Sequence, residues 1–198
     1  MTNRSVDSKS DGRLFVLSGP SGVGKDALLS VMKQQREDFY FTTTATTRPK
    51  RPGERDDVDY LFMARGEFQR MIDEDGLLEW AEVYGNLYGV PKSQVTDALE
   101  AGRNVLLKVD VQGAATVKRL YSDAVLIFLE PPSMESLDRR LTDRGTEQGE
   151  ALRIKLETAR EEMKAADWFD HRVVNHDGRL DEAVSDIARI VAQETTPK

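Results

Sequence analysis

Residues 19–26 read Gly-Pro-Ser-Gly-Val-Gly-Lys-Asp and follow directly on the apolar run Leu14-Phe15-Val16-Leu17. That run reads as a buried strand, and the segment from Asp26 to Met32 behind it reads as a helix. The spacing Gly-x4-Gly-Lys between the two is that of a phosphate-binding loop. Gly19, Gly22 and Gly24 let successive N–H groups turn inward around an anion, where the dipole of the following helix adds positive potential. Pro20, Ser21 and Val23 complete the loop, and Lys25 is spaced to reach the β- and γ-phosphates of a nucleoside triphosphate. A glycine turn without a ligand is the alternative, and strand, helix and lysine at these offsets together argue against it. One position departs from the motif. Asp26 stands where Ser or Thr normally holds Mg2+.

Further short apolar runs at 105–109, 125–129 and 171–174 resemble the one at 13–18, and helical patterns at 24–35, 112–120, 133–142, 151–166 and 180–193 fall between them. This alternation predicts an α/β fold: three α/β/α layers with a central parallel sheet. It breaks between residues 39 and 102, where strand-like runs at 39–44, 59–63, 77–84 and 87–90 surround one helical stretch at 65–74. Asn86 beside Gly85 signals a hairpin there. The break predicts a small mixed-β subdomain at 44–90, inserted into a core of 13–43, 91–132 and 168–195. The charged, helical segment 133–167 has the place of a mobile lid, with Ser133 as the N-cap of its first helix. Residues 1–12 are polar and predict a disordered tail ahead of a domain at 13–195.

The chain has 198 residues, enough for one well-cored domain, and a formal net charge of −7, which argues against a general nucleic-acid or anionic-membrane surface. No apolar stretch approaches the roughly 20 residues that span a bilayer. The absence of cysteine excludes disulfides and thiol catalysis and suits a reducing cytoplasm. Only His171 and His176 could supply imidazole, so a multi-histidine metal centre is not expected. Monomer and homodimer are equally compatible with these numbers.

The segment from Thr44 to Glu54 supplies hydroxyls and then Arg48 and Arg51 three residues apart, and Tyr60 follows. Guanidinium forks and a phenol suit a phosphate monoester, although a solvated basic turn has the same composition. Glu79-Trp80 and Tyr88-Gly89 follow on the expected hairpin. A carboxylate there could accept two N–H bonds from one edge of guanine, or be an exposed strand charge.

Together these pieces resemble the guanylate kinase family. The resemblance runs in order through Gly19 to Lys25, Thr46-Thr47-Arg48, Arg51-Pro52-Gly53-Glu54, Asp59-Tyr60, Leu78-Glu79-Trp80-Ala81-Glu82, Tyr84-Gly85-Asn86, Tyr88-Gly89, Val109-Asp110-Val111-Gln112-Gly113, Pro131-Pro132-Ser133, Arg144-Gly145-Thr146 and Val173-Val174-Asn175. It covers nearly all of residues 13–191. It implies ATP-dependent phosphorylation of GMP and of dGMP, with Mg2+ as cofactor. Lys25 and the loop amides would hold ATP phosphates, and Asn175 would lie by the adenine. Arg48, Arg51, Tyr60 and Tyr88 would hold the GMP phosphate, Thr44 and Glu79 would read guanine, and Asp110 would sit between base and metal shell. Arg140 and Arg144 would close on the transferring group. Other domains with this resemblance bind phosphorylated partners without catalysis, and a same-fold kinase of a ribose phosphate is a further alternative. The intact loop speaks against the first, and Thr44 with Glu79 against the second.

Four positions depart from the family pattern: Asp26, Val90 for a Ser or Thr, Lys108 for an Asp, and Lys155 for an Arg that Arg153 is placed to replace. Lys108 and Asp110 alternate onto one strand face. An acid has thus appeared at Asp26 where one has gone at Lys108. The expectation is that Asp26 ligates Mg2+ while Lys108 balances its charge. An Asp26–Lys108 ion pair that excludes metal is the alternative.

Overall fold

Phe15 and Leu17 point to one side of their strand and Leu14 and Val16 to the other, and all four are buried. A strand covered on both faces must sit at the centre of a layered fold. A computed structural model, which describes residues 12–83, 85–143 and 149–196, shows how the layers are built. In chain order the first half runs β1 (Leu14–Ser18), α1 (Lys25–Gln35), β2 (Phe39–Phe41), β3 (Ala45–Thr46), β4 (Leu61–Phe62), α2 (Arg65–Asp73), β5 (Leu77–Val83) and β6 (Asn86–Pro91). The second half runs α3 (Lys92–Glu100), β7 (Asn104–Lys108), α4 (Val111–Leu120), β8 (Val125–Glu130), α5 (Met134–Asp143), α6 (Glu150–Met163), a 3-10 turn (Lys164–Trp168), β9 (His171–Val174) and α7 (Leu180–Thr195).

The main sheet has five parallel strands in the order β2-β7-β1-β8-β9. Phe15 and Leu17 pack with Leu28 and Met32 of α1, Leu137 and Leu141 of α5, and Ile187 and Val191 of α7. Leu14 and Val16 pack with Val95 of α3, Val117 of α4 and Phe169 beyond the 3-10 turn. The α/β/α fold is therefore as expected. A second, mixed sheet of order β4-β3-β6-β5 carries its own small core of Ala45, Phe68, Leu77 and Leu87. Gly85, with a φ of 76°, lies in the β5–β6 connection, as the hairpin signal required.

Residues 39–41 form an edge strand of the main sheet, where Tyr40 pairs with Val105. Two details differ from the sequence reading. The helix α3 was not read from the sequence, although Val95 and Ala98 are spaced for one face and are both buried. The long helix expected at 151–166 ends at Met163 and tightens into the 3-10 turn, which buries Ala165 and Ala166 under the sheet. Ser133 caps α5 as expected, its Oγ accepting from Ser136 N at 3.2 Å.

Candidate active site

The loop between β1 and α1 wraps the start of α1, and Gly24 is the helix N-cap with a φ of 104°. Neighbouring elements leave no room for a side chain at that residue: a Cβ would lie 2.6 Å from Asn175 Nδ2. Asn175 is buried and donates to Val23 O at 2.7 Å, so the residue after β9 pins the loop. Arg140 of α5 donates to the same carbonyl at 3.0 Å and to Asn175 O at 2.7 Å. Its guanidinium also pairs with Asp177, whose carboxyl is held at about 2 by the bonds from Arg140 and then Ser136. These groups line a cleft of about 470 Å³ beside Gly22, Val23 and Gly24, which His176 also faces.

On its inner side the loop is occupied by its own chain. Lys25 Nζ donates to Gly19 O at 2.6 Å and Pro20 O at 3.1 Å. The Ser21 amide donates to Glu162 Oε2 of α6 at 2.9 Å. Burial lowers the Lys25 pKa to about 8, opposed first by the charge of Glu162 and assisted by that of Lys108. Burial likewise raises the Glu162 carboxyl above its ordinary range, against the Ser21 amide and Lys25. Sequence reasoning missed Glu162, since one more glutamate in a charged helix carries no local signal.

A second cleft of about 560 Å³ lies across from the loop, lined by Asp26, Thr44, Arg48, Arg51, Tyr60, Tyr88 and Lys108 among others. Arg48 sits 5.3 Å from the Tyr60 ring and 5.7 Å from that of Phe62. Both oxygens of Glu54 accept from Arg48, at 2.7 and 3.1 Å, and Glu54 Oε2 also accepts from the Arg51 amide. The Arg-Pro-Gly-Glu motif thus folds its last residue back onto the arginine ahead of it. Glu54 was quoted in the sequence reading without a role.

Between loop and cleft is a smaller cavity of about 210 Å³, walled by Lys25, Thr44, Tyr60, Glu79, Tyr88, Lys108 and Asp110 together with Ala81, Val83 and Val109. Glu79 projects from β5, and burial, followed by the charge of Asp110, raises its carboxyl to about 7. Among the described residues no hydrogen-bond donor meets that carboxylate, which makes it a receptor for N–H groups supplied from outside. Asp110 is the N-cap of α4 and accepts from Gly113 N at 2.7 Å. Glycine fits best at 113, because a Cβ there would stand 2.9 Å from Val109 Cβ and 3.0 Å from Glu79 Oε2.

Lys108 closes the strand β7 and pairs with Asp26, Nζ to Oδ1 at 2.5 Å. Its ammonium also sits 5.4 Å from the Tyr60 ring. Burial works against this charge, but Asp26 and Tyr60 outweigh it and raise the pKa. The ion pair that the sequence reading held as the alternative is therefore formed. Asp26 is largely exposed, and among the described residues no cluster of three or more His, Cys, Asp or Glu side chains forms. A single hard carboxylate at the mouth of a phosphate loop fits Mg2+, which takes one or two protein carboxylates plus substrate phosphates rather than a protein cage.

Val90 is fully buried beside Leu78 and lines none of these cavities. Arg153 pairs with Glu150 and Glu157 along the surface of α6, its side chain 58% exposed. Arg144 lies outside the described residues, as does Tyr84. His171 meets Glu194 at 3.0 Å.

Comparison with known proteins bears on this arrangement. The sequence model of guanylate kinase matches residues 11–194. The chain is 48% identical over 182 residues to the guanylate kinase of Gloeobacter violaceus, covering 92% of this chain and 88% of that one. It is 46% identical over 184 residues to that of Thermobifida fusca, covering 93% of each. The crystal structure of guanylate kinase from Anaplasma phagocytophilum superposes with a TM-score of 0.76 at 33% identity, over 96% of this chain and 89% of that one.

Proposed function

The chain belongs to the guanylate kinase family, and from that premise we propose how its own residues phosphorylate GMP with ATP. One observation carries the reading. A half-buried carboxylate that meets no hydrogen-bond donor among the described residues, Glu79, shares a cavity with the loop lysine and with Tyr60 and Tyr88. An acceptor bound there has its base on Glu79 and its phosphate facing Lys25.

The reaction converts ATP and GMP to ADP and GDP. An oxygen of the GMP phosphate attacks the γ-phosphorus in line, and the bond to the bridging oxygen breaks with its electron pair leaving on ADP. The attacking phosphate is already ionised, so positioning and charge neutralisation dominate over general-base chemistry. Lys25 and the amides of Gly19 to Lys25 take the donor phosphates, with Lys25 leaving its carbonyl partners as they arrive. Asn175 contacts the adenine side. Arg48, Arg51, Tyr60 and Tyr88 take the acceptor phosphate. Glu79 accepts N–H bonds from guanine, Thr44 adds a hydroxyl, and Asp110 keeps the pocket negative at the base end.

Asp26 is the residue that would hold Mg2+, which when bound screens the charge of the donor phosphates. Arg140 ties α5 to the loop, and with Arg144 it brings positive charge to the transferring group when a lid at 133–167 closes over an acceptor subdomain at 44–90. Closure excludes water and suppresses ATP hydrolysis. Among the described residues no helix is long and apolar enough to cross a membrane. We read the enzyme as acting in the cytoplasm, as a monomer or homodimer.

A coupled assay with Mg-ATP and a panel of GMP, dGMP, AMP, UMP and ribose 5-phosphate tests the function. GMP and dGMP should be turned over and the others rejected by about 10²-fold or more, because a site built for specific hydrogen bonds excludes analogues that leave it unpaired. GMP binding without turnover would instead indicate a recognition module.

A further inference from the structure

Lys108 is a cation at the end of a core strand, between the phosphate loop and the acceptor cleft. Its side chain, 21% exposed, borders both the acceptor cleft and the small cavity that holds Glu79. It lies against Tyr60, a residue assigned above to the acceptor phosphate, while its backbone belongs to the centre of the sheet. We propose that Lys108 is a direct ligand of the acceptor's phosphate, held by Asp26 until the nucleotide binds and then handed over. The proposal deepens the functional reading above and rests on it.

The argument is one of competing ion pairs. Of the cations that line the cleft, Arg48 and Lys108 are each paired with a carboxylate when a phosphate dianion arrives. Arg48 is engaged by both oxygens of Glu54, a closed pair with side chains 11% and 20% exposed. Lys108 is engaged by Asp26, which is 68% exposed. A carboxylate in water is rehydrated when its partner leaves, so the second pair is the easier to open. A phosphate carrying nearly two charges at neutral pH also outbids a single carboxylate for an ammonium. Lysine suits this exchange better than arginine would, because its point charge turns to a new partner without a fixed fork geometry. No proton moves. Lys108 stays charged throughout and exchanges one anion for another.

The experiment is binding without ATP or metal, on the full chain. GMP is titrated by calorimetry and guanosine by NMR, into the wild type, Lys108→Met, Asp26→Asn and the double variant. Loss of a charge-assisted bond predicts GMP binding weaker by about tenfold or more in Lys108→Met, with guanosine unchanged because it brings the base alone. Asp26→Asn should bind GMP more tightly, since the competitor is gone, and that gain should vanish in the double variant. A merely structural staple would move GMP and guanosine together. The proposal is overturned if Lys108→Met keeps its GMP affinity, if guanosine weakens equally, or if Asp26→Asn weakens GMP. Should Lys108→Met fail to melt cooperatively, the Asp26→Asn arm decides alone. A wild type that binds no GMP would overturn this proposal and the functional reading together. A wild type that binds and phosphorylates GMP while Lys108→Met loses nothing overturns the role of Lys108 only.

Discussion

In its proposed role as reader of guanine, Glu79 must be ionised to accept two N–H bonds, and burial beside Asp110 holds its carboxyl at about 7 instead of in the usual carboxylate range. On that proposal guanine binds the ionised form, so binding favours proton release and weakens as pH falls through 7. Affinity should drop by about tenfold per pH unit below that point. The GMP phosphate has its own pKa of about 6, so the clean measurement uses guanosine, and a pH-independent affinity from 5.5 to 8 would sink the idea. Lys25 gives the opposite limb. Its pKa of about 8 would be raised by bound phosphates, so ATP binding should take up a proton above pH 8 and weaken as pH rises further. Calorimetry in two buffers of different ionisation heat reads that proton directly. Because Glu162 is the leading charge that raises Lys25, Glu162→Gln should move this limb to lower pH.

At the level of elements, the acceptor side depends on a very small core. Phe68 of α2 is the largest of the described side chains buried in the core of the mixed sheet, packed with Ala45, Leu77 and Leu87. Phe68→Ala removes most of that core and should cost about 3–5 kcal/mol. The main sheet has separate cores on both faces. The damage should therefore fall first on GMP, raising its KM while ATP affinity, measured by titration, changes little. Equal loss of both would show that the two sheets unfold as one unit. The strands of the main sheet were legible as short apolar runs because both their faces are covered. The helix α3 was not, since nine residues following an irregular insert give only two buried positions by which to recognise a face.

Over the whole molecule, α5 and α6 approach the donor loop from one side and the mixed sheet faces it from the other. Besides the apolar packing of Val23 with Leu137 and Leu141 of α5, polar contacts tie these helices to the loop: Arg140 to Val23 O and Glu162 to Ser21 N. Polar contacts of this kind open at small cost compared with buried apolar ones. ATP and GMP together should therefore compact the molecule more than either alone, and an unchanged radius of gyration by small-angle scattering would argue against closure. Local chemistry was enough to establish the phosphate loop, because Gly-x4-Gly-Lys needs only a strand before it and a helix after it. The resemblance of ordered motifs pointed likewise to GMP. Only the tertiary structure decided which charge answers which: Glu162 is 141 residues from Ser21, and Lys108 is 82 from Asp26. The energy of a charge depends on distance and burial, and a sequence states neither for residues brought together by the sheet.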